Sequence, residues 1–224
     1  MKALTKTILL IILICITSGS AYSQFWRSIL SSGNWGVNTG INSGFVASVQ
    51  FGKGWELEYG AGLEWAPFNK SFYIVADMSY VNQFLDNNSP DNFIFTSNPD
   101  KTEMHSNYVR LRYGLKFRVN WWDKKEDRNS YLIANYNYIT NFLVKETTDL
   151  YHNNTITSTD IIYSPNTMWG SCFEMGYSWK INDRLKWDSG IYFYYQLRHS
   201  SPSVYYIDYN TSLGLNIGIY LTFN

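Results

Sequence analysis

The chain has 224 residues, and its 18 Lys and Arg balance 18 Asp and Glu, so it has room for one domain and lacks the basic excess of a nucleic-acid binder. It is rich in rings, with 9 Trp, 19 Tyr and 13 Phe against 5 Pro. Trp and Tyr suit a membrane interface, yet beyond the N-terminus no apolar run is long enough for a transmembrane helix, which leaves a secreted β-protein or a membrane β-barrel.

The first residues read as a secretory signal peptide. Lys2 and Lys6 precede an unbroken apolar run, Ile8 to Ile16, and Ala21-Tyr22-Ser23 offers small residues for cleavage before Gln24. A lipoprotein signal would place a small residue before Cys15, where Ile14 stands. The expected organisation is a signal peptide over 1–23 and a single barrel domain over 24–224. Cleavage leaves 16 Lys and Arg against 18 Asp and Glu, a net charge of −2. Cys172 is then the sole cysteine, so no intramolecular disulfide forms.

From there the chain alternates apolar with polar or small residues at a period of two, in segments of about ten residues, the signature of barrel strands. The first strand carries Trp35, Val37 and Ile41 against Gly36, Asn38, Gly40 and Asn42, and its parity runs on through Phe45, Ala47, Val49 and Phe51. The second sets Trp55, Leu57, Tyr59, Ala61, Leu63 and Trp65 against Glu56, Glu58, Gly60, Gly62 and Glu64. The third has Phe72 to Tyr80 outward in alternation, with Asp77 and Ser79 inward. In the fourth, Val109 to Trp121 alternate with Arg110, Arg112, Gly114, Lys116, Arg118 and Asn120. The fifth, from Leu132 to Phe142, turns Asn135, Asn137 and Asn141 inward. The sixth spans Trp169 to Trp179 with Gly170, Cys172, Glu174 and Gly176 inward. The seventh spans Leu185 to Leu197 with Asp188, Gly190, Tyr192 and Gln196 inward. The eighth sets Leu213, Leu215, Ile217, Ile219, Leu221 and Phe223 against Gly214, Asn216, Gly218, Tyr220 and Thr222.

Eight is an even number, as a closed antiparallel barrel without edges in lipid requires. The predicted fold is therefore all-β, an eight-stranded antiparallel transmembrane β-barrel in up-and-down meander order, closed, with a side-chain-filled lumen. Short connections follow strands two, four and six, and long ones follow three, five and seven, at roughly Leu85 to Asn107, Lys145 to Thr167 and Arg198 to Asp208. Barrels of this kind keep short turns in the periplasm, which places both termini there and the long connections outside. Those long connections either form contact loops or continue the strands above the membrane. Trp35, Trp65, Trp121, Trp122, Trp179 and Trp187 fall near the expected periplasmic strand ends, as an interfacial girdle would. A soluble sandwich would bury such rings in its core.

The inward positions carry both signs of charge. Arg110, Arg112, Lys116 and Arg118 lie on the fourth strand, facing Glu56, Glu58, Glu64, Asp77, Glu174 and Asp188 on others. A lone carboxylate in a narrow dry interior is costly, whereas Arg pairs with one through two hydrogen bonds. The expectation is a charge network that packs the lumen and closes it to ions.

The signal peptide, the segment Tyr59-Gly60-Ala61-Gly62-Leu63-Glu64-Trp65 and the closing strand Leu213 to Phe223 together resemble the small outer-membrane β-barrel superfamily of OmpA-like, OmpX-like and PorT-like proteins. The last strand also resembles the C-terminal signal read by the barrel assembly machinery, although Asn224 follows the aromatic Phe223. The resemblance implies outer-membrane lipid as surroundings and that machinery as the partner during biogenesis. It does not carry a function.

Chemistry is sparse. His105 and His152 lie in polar connections without a second ligand at metal spacing. Arg198-His199-Ser200-Ser201-Pro202 resembles the His-x-Ser of outer-membrane lipid A deacylases, with Ser201 as nucleophile, His199 as base and Asp208 as orienting acid. That family has Asn where Pro202 stands and Glu where Asp208 would serve. The expected function is a non-enzymatic outer-membrane protein, structural, adhesion-like or associated with assembly or secretion. On this reading it presents its external loops to a surface ligand or envelope protein, without cofactor or metal. The alternatives are a deacylase and a narrow pore.

Overall fold

A computed structural model of the chain describes residues 34–48, 52–67, 71–88, 99–119, 130–162, 167–199 and 207–223. The signal-peptide reading, Trp121, Trp122 and Ser201 lie outside them. Nine strands run through the described residues: β1 Asn34–Ser48, β2 Gly52–Ala66, β3 Phe72–Asn87, β4 Lys101–Val119, β5 Ser130–His152, β6 Thr155–Ile162, β7 Thr167–Lys180, β8 Leu185–His199 and β9 Ile207–Phe223. Ring neighbours follow in sequence save that β5 pairs with β7 past β6, β9 pairs back onto β1, and β4 pairs with β5, so eight strands close a barrel. β6 stands outside that ring, paired with β5 alone among the described residues.

Closure follows from the solvent. In hydrocarbon an unpaired backbone N–H or C=O has no water to turn to, so the first and last strands must pair. They do so from Trp35 opposite Phe223 to Ser48 opposite Asn210. The side chains then sort by parity. On β9 the outward residues Leu213 to Phe223 are 39–63% exposed, while Tyr220 on the other face is fully buried. An exposed apolar surface of this extent is tenable only against lipid.

Two aromatic belts bound that surface. Trp35 stacks on Trp65 at 5.5 Å, and Trp179 lies opposite Trp187, all at the end carrying the strand termini. Trp55 and Trp169 stand toward the other end. On β2 and on β7 the two belts are each ten residues apart, Trp55 to Trp65 and Trp169 to Trp179. Ten residues of strand cover about 33 Å, and a barrel tilt near 40° reduces this to a height of about 25 Å, the usual apolar band.

The wall continues past the upper belt. The long connections expected after the third and fifth strands are instead largely strand: β3 runs to Asn87, β4 begins at Lys101, and β5 reaches His152. At Asn107/Tyr108 the β4–β5 register shifts, leaving Val144 without an opposite residue. Inward positions on β5 are odd-numbered up to Leu143 and even-numbered from Glu146. A bulge inverts the side-chain parity beyond it, which is why alternation breaks there. β5 then turns into β6 through Asn153 and Asn154, both with positive φ (50° and 60°), the two-residue hairpin geometry that Asn tolerates.

Inside, β1, β2 and β9 are bare where the barrel needs room. Gly40 lies opposite Gly60 on one side and Gly218 on the other. A Cβ added at Gly36 would collide with the Tyr220 ring, and one at Gly44 or Gly214 with the Tyr192 hydroxyl.

Ile217 sits next to this mid-height row and faces outward. Ile217→Arg is expected to cost about 2–4 kcal/mol, the penalty for a cation at the bilayer midplane. Urea unfolding of the barrel in lipid vesicles measures it.

Candidate functional site

Two features stand out: a charged lumen and a raised wall whose last strand, β6, pairs on one side only among the described residues. The lumen is organised by β4, whose even-numbered residues alternate inward. Arg110 Nη1 donates to Glu58 at 2.7 Å and Nη2 to Glu56 at 3.3 Å, and Nε donates to Asn141 Oδ1 at 2.9 Å. Arg112 lies opposite Asp77 on β3 and within 3.2 Å of Glu174, 3.4 Å of Glu58 and 3.8 Å of Asp77. Nearer the termini, Lys116 donates to Glu64 at 2.8 Å and also pairs with Asp188, while Arg118 contacts the same two carboxylates at 2.9 Å each. These last pairs tie β2 to β8 across the interior. The structure thus brings Glu56, Glu58, Asp77, Arg110, Arg112, Lys116, Arg118, Glu174 and Asp188 together, with Glu64 as a hub between Lys116 and Arg118.

Tyrosines complete the network. Tyr194 OH donates to Glu58 at 3.0 Å and accepts from Arg112 at 2.8 Å and Asn42 at 3.0 Å. The Arg118 guanidinium lies 4.0 Å from the Tyr220 ring centre and 4.6 Å from that of Tyr73. Stacking of this kind stabilises a desolvated cation beyond its ion pairs. Tyr73 and Tyr194 were not singled out from sequence, although their parity, shared with Asp77 and Tyr192, carries the signal. Among these side chains lies a cavity of about 50 Å³, lined by Asn38, Asp77, Arg112, Asn135, Glu174 and Gly218 among others.

Above the upper belt the chemistry changes. Lys101 bridges Asp86 at 3.4 Å and Glu103 at 2.7 Å, and Tyr151 OH donates to Glu103 at 2.8 Å. The hydrogen bonds from Lys101 and Tyr151 hold the Glu103 carboxyl below the usual carboxylate range. β6 continues this wall and is exposed from Thr155 to Ile161. Sequence reasoning left this stretch open between a contact loop and a continuation of the strands. The flag was Asn153-Asn154 between β-branched runs, a hairpin signal.

The remaining candidates are scattered. His105 packs its ring 4.6 Å from Phe84 on the outer face, and His152 Nδ1 lies 3.4 Å from Asp100 in an exposed pair. The backbone register sets Asp208 opposite Arg198 and His199 opposite Ile207. Cys172 is buried in the lumen. Among the described residues no three His, Cys, Asp or Glu side chains come together to hold a metal ion.

Removing one member of a buried ion pair leaves the other uncompensated, at a cost of about 3–5 kcal/mol. Arg110→Met, which strands Glu56 and leaves Glu58 to Arg112 alone, is expected to destabilise the barrel by that amount in denaturant titration. Planar-bilayer recording of the unaltered protein should give no stable channels, since charged side chains fill the passage.

No protein-family model and no curated protein matches the sequence. Solved structures similar to it include Neisserial surface protein A, at 10% identity over 85% of this chain and 97% of that one, with a TM-score of 0.46. Ail, the attachment invasion locus protein of Yersinia pestis, is 11% identical over 85% and 99%, with a TM-score of 0.42. The N-terminal β-barrel domain of Pseudomonas aeruginosa OprF is 9% identical over 83% and 96%, with a TM-score of 0.38. On its own geometry, a closed ring of eight antiparallel strands with an apolar exterior and a charged, filled interior, the chain has the fold of the small outer-membrane β-barrels.

Proposed function

We propose that the chain is a non-enzymatic outer-membrane protein whose raised wall, formed by the upper parts of β3, β4 and β5 together with β6, faces outward and captures an extended segment of another surface or envelope protein. The observation that carries the reading is the edge of β6. Among the described residues it is hydrogen-bonded to β5 only, and among them no strand takes up its second row of backbone donors and acceptors. An extended peptide adds to such an edge through main-chain hydrogen bonds.

Edges that must stay unpaired are usually blunted by Lys, Pro or bulges. Thr-Ile-Thr-Ser-Thr-Asp-Ile-Ile has neither Lys nor Pro and only one charge, Asp160. Its Ile156 and Ile161 are half exposed, at 51% and 50%, and offer apolar contacts to the incoming segment. The lumen agrees with this reading: Glu64 and Asp188 pair with Lys116 and Arg118, and Arg110 and Arg112 pair with carboxylates of β2, β3 and β7, an arrangement that suits a packing role. Outward placement of this wall is supported by the short turns at the opposite end, the arrangement usual in such barrels.

Ser158→Lys with Asp160→Lys should abolish partner capture in pull-downs from native membranes while leaving the heat-modifiable mobility of the folded barrel unchanged. Undiminished capture by the double variant overturns the assignment of the edge.

A further inference from the structure

The outer surface of the barrel is not evenly rounded. Over β9, β1 and β2 it carries an apolar groove of about 1400 Å³. The bare inner face of these strands underlies it. A Cβ at Gly36 would strike the Tyr220 ring, and one at Gly44 or Gly214 the Tyr192 hydroxyl, so the backbone rests on those tyrosines with no side chain between. Small residues leave the outside hollow as well. One row of the register runs Trp187, Ile219, Thr39, Ala61 and Met78 across β8, β9, β1, β2 and β3, and it dips at Thr39 and Ala61. Farther along β1, Ser43 stands between Leu57 and Leu215. Thr39 Oγ1 donates to the Gly60 carbonyl at 3.0 Å, so its donor is spent within the wall.

The groove lies at hydrocarbon depth. Its lining reaches Trp187 of the girdle near the termini and Trp55 of the opposite one. At that depth the occupant is either lipid tails or another protein, since water is absent. The floor is two strands wide, about 5 Å between chain axes, whereas a helix with its side chains is about 10–12 Å across. A symmetric pair of copies would set groove against groove and leave the hollow unfilled. An unbranched hydrocarbon chain fits. The volume exceeds the roughly 300–1,000 Å³ of an ordinary small-molecule pocket, which gives room for two chains.

The end near Trp55 carries a positive charge. Lys53 lies two residues beyond Trp55 on the same outward face and is exposed. Its cross-strand neighbour Asp86 bridges to Lys101 at 3.4 Å, and among the described residues Lys53 has no ion pair. A cation at the level of the headgroups attracts anionic lipid. We propose that the groove seats one phospholipid with a single anionic phosphate, its two acyl chains in the trough and its phosphate beside Lys53. The site faces the bilayer and is independent of any partner at β6.

Native mass spectrometry of the full chain, released from detergent, tests the assignment. Phosphatidylglycerol is the probe, and phosphatidylcholine and lipid A are the comparisons. One phosphatidylglycerol should be retained, more firmly than phosphatidylcholine. Thr39→Leu with Ala61→Phe fills the trough and should lower the bound fraction about tenfold, as loss of contact with about two methylenes would. Ser43→Leu is the second trough-filling variant if that pair does not fold, with heat-modifiable mobility as the check. Ala134→Phe, on the outward face of β5 opposite Phe117 and Met175, should leave binding unchanged. Lys53→Gln should erase the preference for phosphatidylglycerol. Undiminished retention in a folded trough-filled variant overturns the proposal, as does an equal loss in Ala134→Phe or a preference that survives Lys53→Gln. Stronger retention of lipid A, or a lipid-free dimer that the trough-filling pair disrupts, assigns the groove to another occupant and overturns it too.

Discussion

The polar backbone is the constraint on which the rest depends. A strand in hydrocarbon cannot leave its amides unpaired, so the wall must close on itself, and β9 must find β1. Closure fixes the parity of every strand at once. The residues that meet lipid and those that meet the interior follow from one register, set between Trp35 and Phe223 at one end and Ser48 and Asn210 at the other. Above the upper belt the constraint relaxes, and there the architecture tolerates a bulge at Val144 and a strand that pairs on one side only among the described residues.

Closure also creates the lumen problem. An eight-stranded ring is too narrow for a water channel yet too wide to be filled by backbone. This chain fills it unevenly. β4 contributes long cationic side chains, β2 contributes carboxylates, β8 and β9 contribute tyrosines, and the strands around β1 contribute glycines that make space for them. Buried ion pairs are a weak source of net stability, since desolvation offsets much of the attraction. Their value here is positional: Lys116 and Arg118 join β2 to β8 through Glu64 and Asp188, which braces the ring across its diameter.

Much of this was legible in the sequence, for a physical reason. Where lipid touches one face and packed side chains the other, period-two alternation is enforced at every residue, so the eight barrel strands and the inward charges on Arg110 to Arg118 could be read directly. The signal failed where that enforcement ends. Above the upper belt both faces of a strand can be polar, and the Val144 bulge inverts the parity, so for the top of β5 and all of β6 the alternation left loop and continued strand equally open. The partners of the inward charges were legible only as a set. Which carboxylate each Arg meets depends on strand tilt and on the bare glycine row, and neither is written in the alternation.

The separation of the two tryptophan girdles has a consequence for where such a barrel can reside. Typical bilayers have a hydrocarbon slab of about 30 Å, and each ångström of disagreement with a protein's apolar height carries a small elastic cost. With girdles about 25 Å apart, this cylinder is short for a sterol-thickened sheet and well fitted to a bacterial outer leaflet system that is thinner than average. The spacing of Trp55 from Trp65, and of Trp169 from Trp179, thus matches the barrel's apolar height to a thin bilayer.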